Sequence, residues 1–381
     1  MRYVDEFRDG RLAQSLRAAI HAEAQADRVY HLMEFCGGHT HAIFRYGVLD
    51  LLPDTVQMIH GPGCPVCVLP IERIDHALQL ALEHDVTLCT YGDLLRVPGR
   101  EQQSLLKAKA AGADVRMVYS CLDAIALAEA NPSRQVVFFA IGFETTTPPT
   151  AVAILTAATK RLKNFTVHCN HVLTPPAVAA LLDSVEAAKS GRLPLDGFVG
   201  PAHVSAVIGS DPFEPFARDY GRPVVIAGFE PLDVMQAVLM LIRQLNAGES
   251  RVEIEYTRVV APEGNRRAQA LVDKVFELRP QFPWRGLGDL PESALAIRPE
   301  YAAFDAEQRF PMRLVAAEDH KACLCPNVLR GMAKPTDCKL FATVCTPENP
   351  IGSCMVSSEG ACAAYFTFGR SRRLSPQRVA S

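Results

Sequence analysis

The chain is poor in the features that would send it to a membrane, to nucleic acid or out of the cell. Its 381 residues carry 39 Lys and Arg against 42 Asp and Glu, a formal net charge of −3. So small a balance offers no basic face for nucleic acid or an anionic lipid surface. The opening stretch, MRYVDEFRDGRLAQSLRAA, mixes acids and bases without an apolar run, so no signal peptide is expected there. The most apolar segment, PVVIAGFEPLDVMQAVLMLI, is interrupted by Glu230 and Asp233 and falls short of a membrane span. No internal similarity recurs at a fixed period, which excludes a solenoid. A cytoplasmic protein is expected.

What the chain has in quantity is cysteine: twelve in all, six of them Cys323, Cys325, Cys338, Cys345, Cys354 and Cys362. A disulfide scaffold, a zinc site and an iron–sulfur cluster are the three explanations for such a group. In the cytosol thiols stay reduced, which sets the scaffold aside. A cluster takes four thiolates and leaves two, enough for a redox dithiol.

Elsewhere short β-branched and aromatic runs end at glycines and lead into Ala- and Leu-rich helical stretches. This alternation predicts parallel sheets covered by helices, with binding residues just past the strand ends. Two echoes suggest a pair of related units: FFAIGFETTTPPTAVAIL with VVIAGFEPLDVMQAVLML, and MIHGPGCPVC with GFVGPAHVSAVIG. The expected organisation is one α/β domain over 30–155, a second over 156–240, and a C-terminal α+β region. That last region, 241–381 together with 1–29, is expected to carry the cysteine-rich module, whether zinc or iron–sulfur.

CGGHTH, residues 36–41, follows the strand-like RVYHLMEF. Gly37 and Gly38 would permit a tight turn that leaves the Cys36 thiol uncovered. A thiol with His39 and His41 close by suits a soft or borderline metal, the bland reading being a helix capped at Thr40. GPGCPVC opens the helical run CVLPIERIDHALQLAL, placing Cys64 where a helix N-terminus favours a thiolate. Cys64 and Cys67 thus form a candidate redox or iron-binding pair; half a zinc site fits less well, because no second C-x-x-C completes it. Glu144 and Glu230 stand at strand ends as ligand or cap, and His203 occupies the place of Cys64 in its echo. His168 and His171 read as structural, and Cys89, Cys121 and Cys169 as core.

In order along the chain, CGGHTH, GPGCPVC, GFETTTPP, GPAHVS, AGFEP and PTDCKLF…CTP…GSCMVSSEGACAAY resemble the HypD family of hydrogenase maturation proteins. The resemblance runs from about residue 30 to 368. It departs at Pro326, where Gly would be expected after C-x-C, and at Ala342, where Gly usually follows Leu-Phe. It implies an accessory factor, rather than a stand-alone enzyme, for assembling the Fe(CN)2CO group of [NiFe]-hydrogenases. It further implies a [4Fe-4S] cluster, a transient iron with cyanide and carbonyl ligands, the chaperone HypC, and HypE as cyanide donor charged through HypF. By the same resemblance Cys323, Cys338, Cys345 and Cys362 hold the cluster, with Cys325 and Cys354 as the redox pair. Cys36, Cys64 and Cys67 offer ligands to the transient iron, and His39 would steady a bound cyanide or relay a proton. An iron–sulfur-dependent thiol–disulfide reductase acting on a protein would use the same residues, whereas a non-catalytic scaffold would hold zinc at the C-terminus.

Overall fold

A computed structural model describes residues 5–187, 195–313, 317 and 319–369. Nine strands make up its two parallel sheets: β1 (Tyr30–Glu34), β2 (Val56–His60), β3 (Val86–Thr90), β4 (Val115–Met117), β5 (Gln135–Gly142), β6 (Phe165–His171), β7 (Gly197–Pro201), β8 (Val224–Ala227) and β9 (Val252–Ile254). The first sheet has the order β2-β1-β7-β8-β9 and the second β4-β3-β5-β6. Helical chain links the paired strands β1 to β2, β3 to β4, β5 to β6 and β7 to β8, the connection parallel pairing requires. β5, QVVFFAIG, is buried along all but its first residue, as a central strand with helices on both faces must be.

The sheets do not follow the boundary expected near residue 155. That residue lies in the helix Thr147–Thr159, whose Ala151, Ile154 and Ala157 pack into the second sheet beside Phe138 and Phe165. The chain lays down β1 and β2, builds the whole second sheet, and returns so that Leu32 pairs with Gly197 and Met33 with Phe198. Such long-range pairing leaves no periodic trace in a sequence.

The end regions differ likewise from expectation. β9 joins the first sheet, although residue 252 was assigned to the C-terminal region. Ile20, in the N-terminal helix Gly10–Glu23, is buried with Val238 and Ile242 of the helix Pro231–Ala247 on the first sheet, away from the cysteine-rich end. The C-terminal part consists of two short antiparallel pairs, Phe276–Leu278 with Leu295–Ile297 and Gln281–Trp284 with Gly288–Pro291, followed by the cysteine-rich turns. Its last helix, Ala361–Phe368, folds back over the helix Gly37–Arg45, with the Tyr365 and Phe44 rings 4.2 Å apart. Among the described residues, no helix is long and apolar enough to cross a membrane.

Candidate functional site

The carboxyl ends of β1, β2, β3, β5 and β7 face a cleft of about 430 Å³ between the two sheets. This is where parallel α/β sheets gather their binding groups. Cys36, His203 and Asp93 line it, and Glu359 reaches in from the cysteine-rich end. Cys36 is the N-cap of the helix Gly37–Arg45, its carbonyl accepting from the His39 N–H at 2.9 Å, and a helix start favours a thiolate. Burial and the nearby Glu359 carboxyl nevertheless push the thiol well above the ordinary cysteine range, so it keeps its proton at neutral pH. Burial, then Asp93 and Glu34, push the Glu359 carboxyl up as well.

The two glycines after Cys36 serve packing more than turning, for both lie inside the helix with ordinary φ. A Cβ at Gly37 would run into the side chain of Glu359, and one at Gly38 would lie 2.6 Å from the Phe229 ring. His39 does not enter the cleft. It is fully buried, and its Nε2–H donates to the Ala227 and Gly228 carbonyls at the end of β8, both at 3.0 Å. Burial holds its pKa down, so the ring is neutral. The His39 ring is therefore engaged by backbone carbonyls and is not among the residues that line the cleft beside Cys36. His203 does line the cleft, its ring 4.0 Å from that of Phe229. His41 turns to Phe368, ring centroids 5.2 Å apart.

Below Cys36 lies a group that the sequence reading passed over. Glu34, at 0 % exposure, accepts hydrogen bonds from the Cys36 N–H at 3.1 Å, from His60 Nδ1 at 2.7 Å, and from the Thr40 hydroxyl. One carboxylate thus ties the CGGHTH segment to the strand that carries GPGC. A glutamate ending an apolar strand was the available signal.

Neither strand-end glutamate of the GFE echoes reaches the cleft. Glu144 accepts from the Thr174 N–H at 2.7 Å and hydroxyl at 2.9 Å, so it caps the helix after β6 rather than its own. Glu230 caps the helix Pro231–Ala247 and pairs with Arg8. Capping, the alternative to a ligand role, is what both perform.

Cys64 and Cys67 are joined in a disulfide, Cα atoms 5.2 Å apart. The helix expected to continue from Cys64 is cut by Pro70 into a short turn, Pro65–Val68, and the helix Ile71–Glu83. With only four residues behind it, the N-terminal dipole at Cys64 is small. Both sulfurs are buried, between the cleft and the cysteine-rich end. There Cys325 and Cys354 form a second disulfide, Cα atoms 6.2 Å apart. Ser353 connects the two: its hydroxyl donates to the Cys67 carbonyl at 2.9 Å and lies 3.6 Å from Cys325 Sγ.

Cys323, Cys338, Cys345 and Cys362 remain as free thiols around one pocket walled by Leu324, Val328, Phe341 and Met355. Burial, followed by Cys323, Cys345 and Cys338, pushes the Cys362 thiol far up, a sign that the four sulfurs face one another. The Ile351 N–H donates to Cys345 Sγ at 3.3 Å, and the Cys325 N–H is directed at the Cys323 sulfur. All-thiol donors, apolar walls and amide N–H groups aimed at sulfur suit an iron–sulfur cluster. Among the described residues no group of three or more His, Cys, Asp or Glu is placed to hold a single metal ion. Gly352 separates this pocket from the disulfide: a Cβ there would lie 2.6 Å from Cys323 Sγ. Of the two departures from the family pattern, Pro326 opens the helix Cys325–Leu329, where proline is tolerated. Ala342 has φ 57°, the left-handed conformation that explains why glycine is usual there.

Three further thiols are packed in the core, Cys89 in β3, Cys169 in β6 and Cys121 at the start of the helix Cys121–Ala130. Cys89, Cys121 and Cys169 are at most 1 % exposed, and burial raises all three, Cys89 to about 12 and Cys169 to about 11.

The family model HypD, described as "Hydrogenase formation hypA family", matches residues 11–369. The chain is 64 % identical over 370 residues to the hydrogenase maturation factor HypD of Cupriavidus necator, covering 97 % of this chain and 98 % of that protein. Identity is 61 % over 372 residues to its namesake in Rhizobium leguminosarum bv. viciae, covering 98 % and 97 %. To the Escherichia coli HypD it is 47 % over 374 residues, covering 97 % and 98 %.

Proposed function

Since the chain belongs to the HypD family, whose relatives are hydrogenase maturation factors, we propose that it holds an iron atom at Cys36 while the cyanide and carbonyl ligands of a [NiFe]-hydrogenase centre are put in place. The observation that carries this reading is the alignment of thiols. A partly exposed cysteine stands in the cleft, a buried dithiol lies behind it, and a second dithiol beside a four-thiol pocket lies behind that.

An iron carrying cyanide and carbonyl is soft and favours thiolate. As the iron–sulfur bond forms, Cys36 loses its proton, and the Glu359 carboxylate is the adjacent acceptor. Metal binding lowers the thiol pKa that burial had raised. Glu34 fixes the backbone that presents the sulfur to the cleft. HypC, a small chaperone, and HypE, the cyanide donor, are the expected partners at the cleft mouth.

Cys323, Cys338, Cys345 and Cys362 would hold a [4Fe-4S] cluster, which when bound supplies one-electron chemistry next to Cys325–Cys354. Opening Cys64–Cys67 to two thiols takes up two electrons and two protons, and closing a Cys325/Cys354 dithiol releases the same. Ser353 bridges the two pairs in this relay. A stand-alone reductase of protein disulfides is less well supported, because its attacking thiols would be the buried Cys64 and Cys67.

The test is Cys36→Ala, purified anaerobically with HypC. The variant should lack the cyanide and carbonyl infrared bands of the complex while retaining the visible absorption of the cluster. Bands that persist unshifted would assign the iron to another ligand, and iron-free wild-type protein would remove the cluster.

A further inference from the structure

Arg285 is a buried cation whose ion pair with Asp319 leaves its hydrogen-bond donors unmet among the described residues. Its side chain is 2 % exposed, and Nε, Nη1 and Nη2 make no hydrogen bond among the described residues. The nearest opposite charge is Asp319, with Oδ1 3.5 Å from Nε. A guanidinium offers five donors, and leaving them unmet away from water is costly unless negative charge lies close by.

The surroundings show where that charge would come from. The Arg285 N–H donates to the Val68 carbonyl at 2.7 Å, one residue beyond Cys67. The next residue, Gly286, has φ 84° and lies so close to Pro326 that a Cβ would stand 3.1 Å from its Cα. Arg285 is thus wedged between the Cys64–Cys67 turn and the Cys323–Cys325 segment. Asp319, Cys323 and Glu72 are the acidic groups within its electrostatic reach. Four neutral thiols give the guanidinium little to balance, whereas four thiolates on a cluster give it an excess of negative charge with sulfur acceptors.

We propose that Arg285 is a positioning residue for the four-thiol pocket, its charge offsetting that of the cluster beside Cys323 and setting the reduction potential there. This rests on the cluster reading above and concerns a residue that reading does not use. A positive charge favours the more negative, reduced state, so removing it lowers the potential.

The experiment is a redox titration of the cluster by visible absorption and electron paramagnetic resonance, in the anaerobically purified full-length chain. Arg285→Met should shift the midpoint to more negative potential by at least a tenfold change in equilibrium constant, about 59 mV for one electron. Arg285→Lys, which keeps the charge, should stay near the wild-type value. Asp319→Asn should move the midpoint the opposite way, which a structural salt bridge between the two residues would not produce. If Arg285→Met assembles no cluster, the Lys and Asn variants decide the matter. An intact cluster titrating at the wild-type midpoint in Arg285→Met, or an Asp319→Asn midpoint unchanged or more negative, overturns the proposal. Wild-type protein without iron overturns the cluster reading instead.

Discussion

The two parallel sheets share one plan and treat cysteine in opposite ways. In the first sheet the thiols stand beyond strand ends: Cys36 follows β1 and Cys64 follows β2, both beside helical N–H groups. In the second, Cys89 and Cys169 lie within β3 and β6, and Cys121 is packed against that sheet, its thiol donating to the Pro149 carbonyl. Six cysteines are thus divided by position alone into three available for chemistry and three serving as small apolar side chains. The second sheet still contributes a wall of the cleft, through Tyr91, Gly142 and Thr146. It shapes the site without supplying a thiol.

Alkylation followed by peptide mapping gives the largest contrast. In native, unreduced protein, Cys36 should be the only one of these six to react, and slowly, because its thiolate is scarce. Denaturant without reductant should add Cys89, Cys121 and Cys169, and only reductant should add Cys64 and Cys67. Native labelling of Cys89, Cys121 or Cys169 would break the division.

A smaller effect separates the capping glutamate of the second sheet from the cleft. Burial raises the Glu144 carboxyl from 4.5 to about 7. A raised carboxyl means the folded state binds the extra proton between these values. Stability should therefore be greatest on the acid side, decline as pH rises from about 4.5 to 7, and level off above. At 1.36 kcal/mol per pH unit the full decline is about 3 kcal/mol. Urea midpoints at pH 5 and pH 8 should differ less in Glu144→Gln than in wild type; equal differences would refute the assignment.

Gly38→Ala, in the helix that follows β1, pushes a methyl into the Phe229 ring and should cost about 2 kcal/mol in urea unfolding. It should also disturb His39 and the sulfur of Cys36, visible as a changed alkylation rate. The smallest effect lies in the cysteine-rich end. Ala342→Gly relieves a left-handed alanine and should stabilise by about 1 kcal/mol, read as a raised melting temperature. No gain there would mean that the turn is set by its neighbours.

The strands were legible because runs such as QVVFFAIG and PVVIAGFE combine β-branched residues with a closing glycine. The thiol motifs were legible because CGGHTH and GPGCPVC sit just past such runs. Sheet membership was not, since whether β1 pairs with β7 or with β3 depends on contacts more than 160 residues apart, such as His31 with Asp196. Nor were the partners of single polar residues. Glu34, Glu359, Ser353 and Arg285 look ordinary in one dimension and gain meaning only from groups far along the chain. His39 shows the converse: its motif pointed to chemistry, and the fold turned it to a backbone carbonyl.

The interruption of the first sheet by the second has a consequence for synthesis. A chain growing from its N-terminus makes β1 and β2 early, yet β7, β8 and β9 emerge only after the whole second sheet. The second sheet can fold while still attached to the ribosome, whereas β1 must wait with one edge unpaired. At about 5–20 residues per second, the gap between β1 and β7 is on the order of ten to thirty seconds. The cleft that Cys36 lines needs both sheets and is therefore among the last parts of the molecule to exist, so an incomplete chain has the thiol without the walls around it.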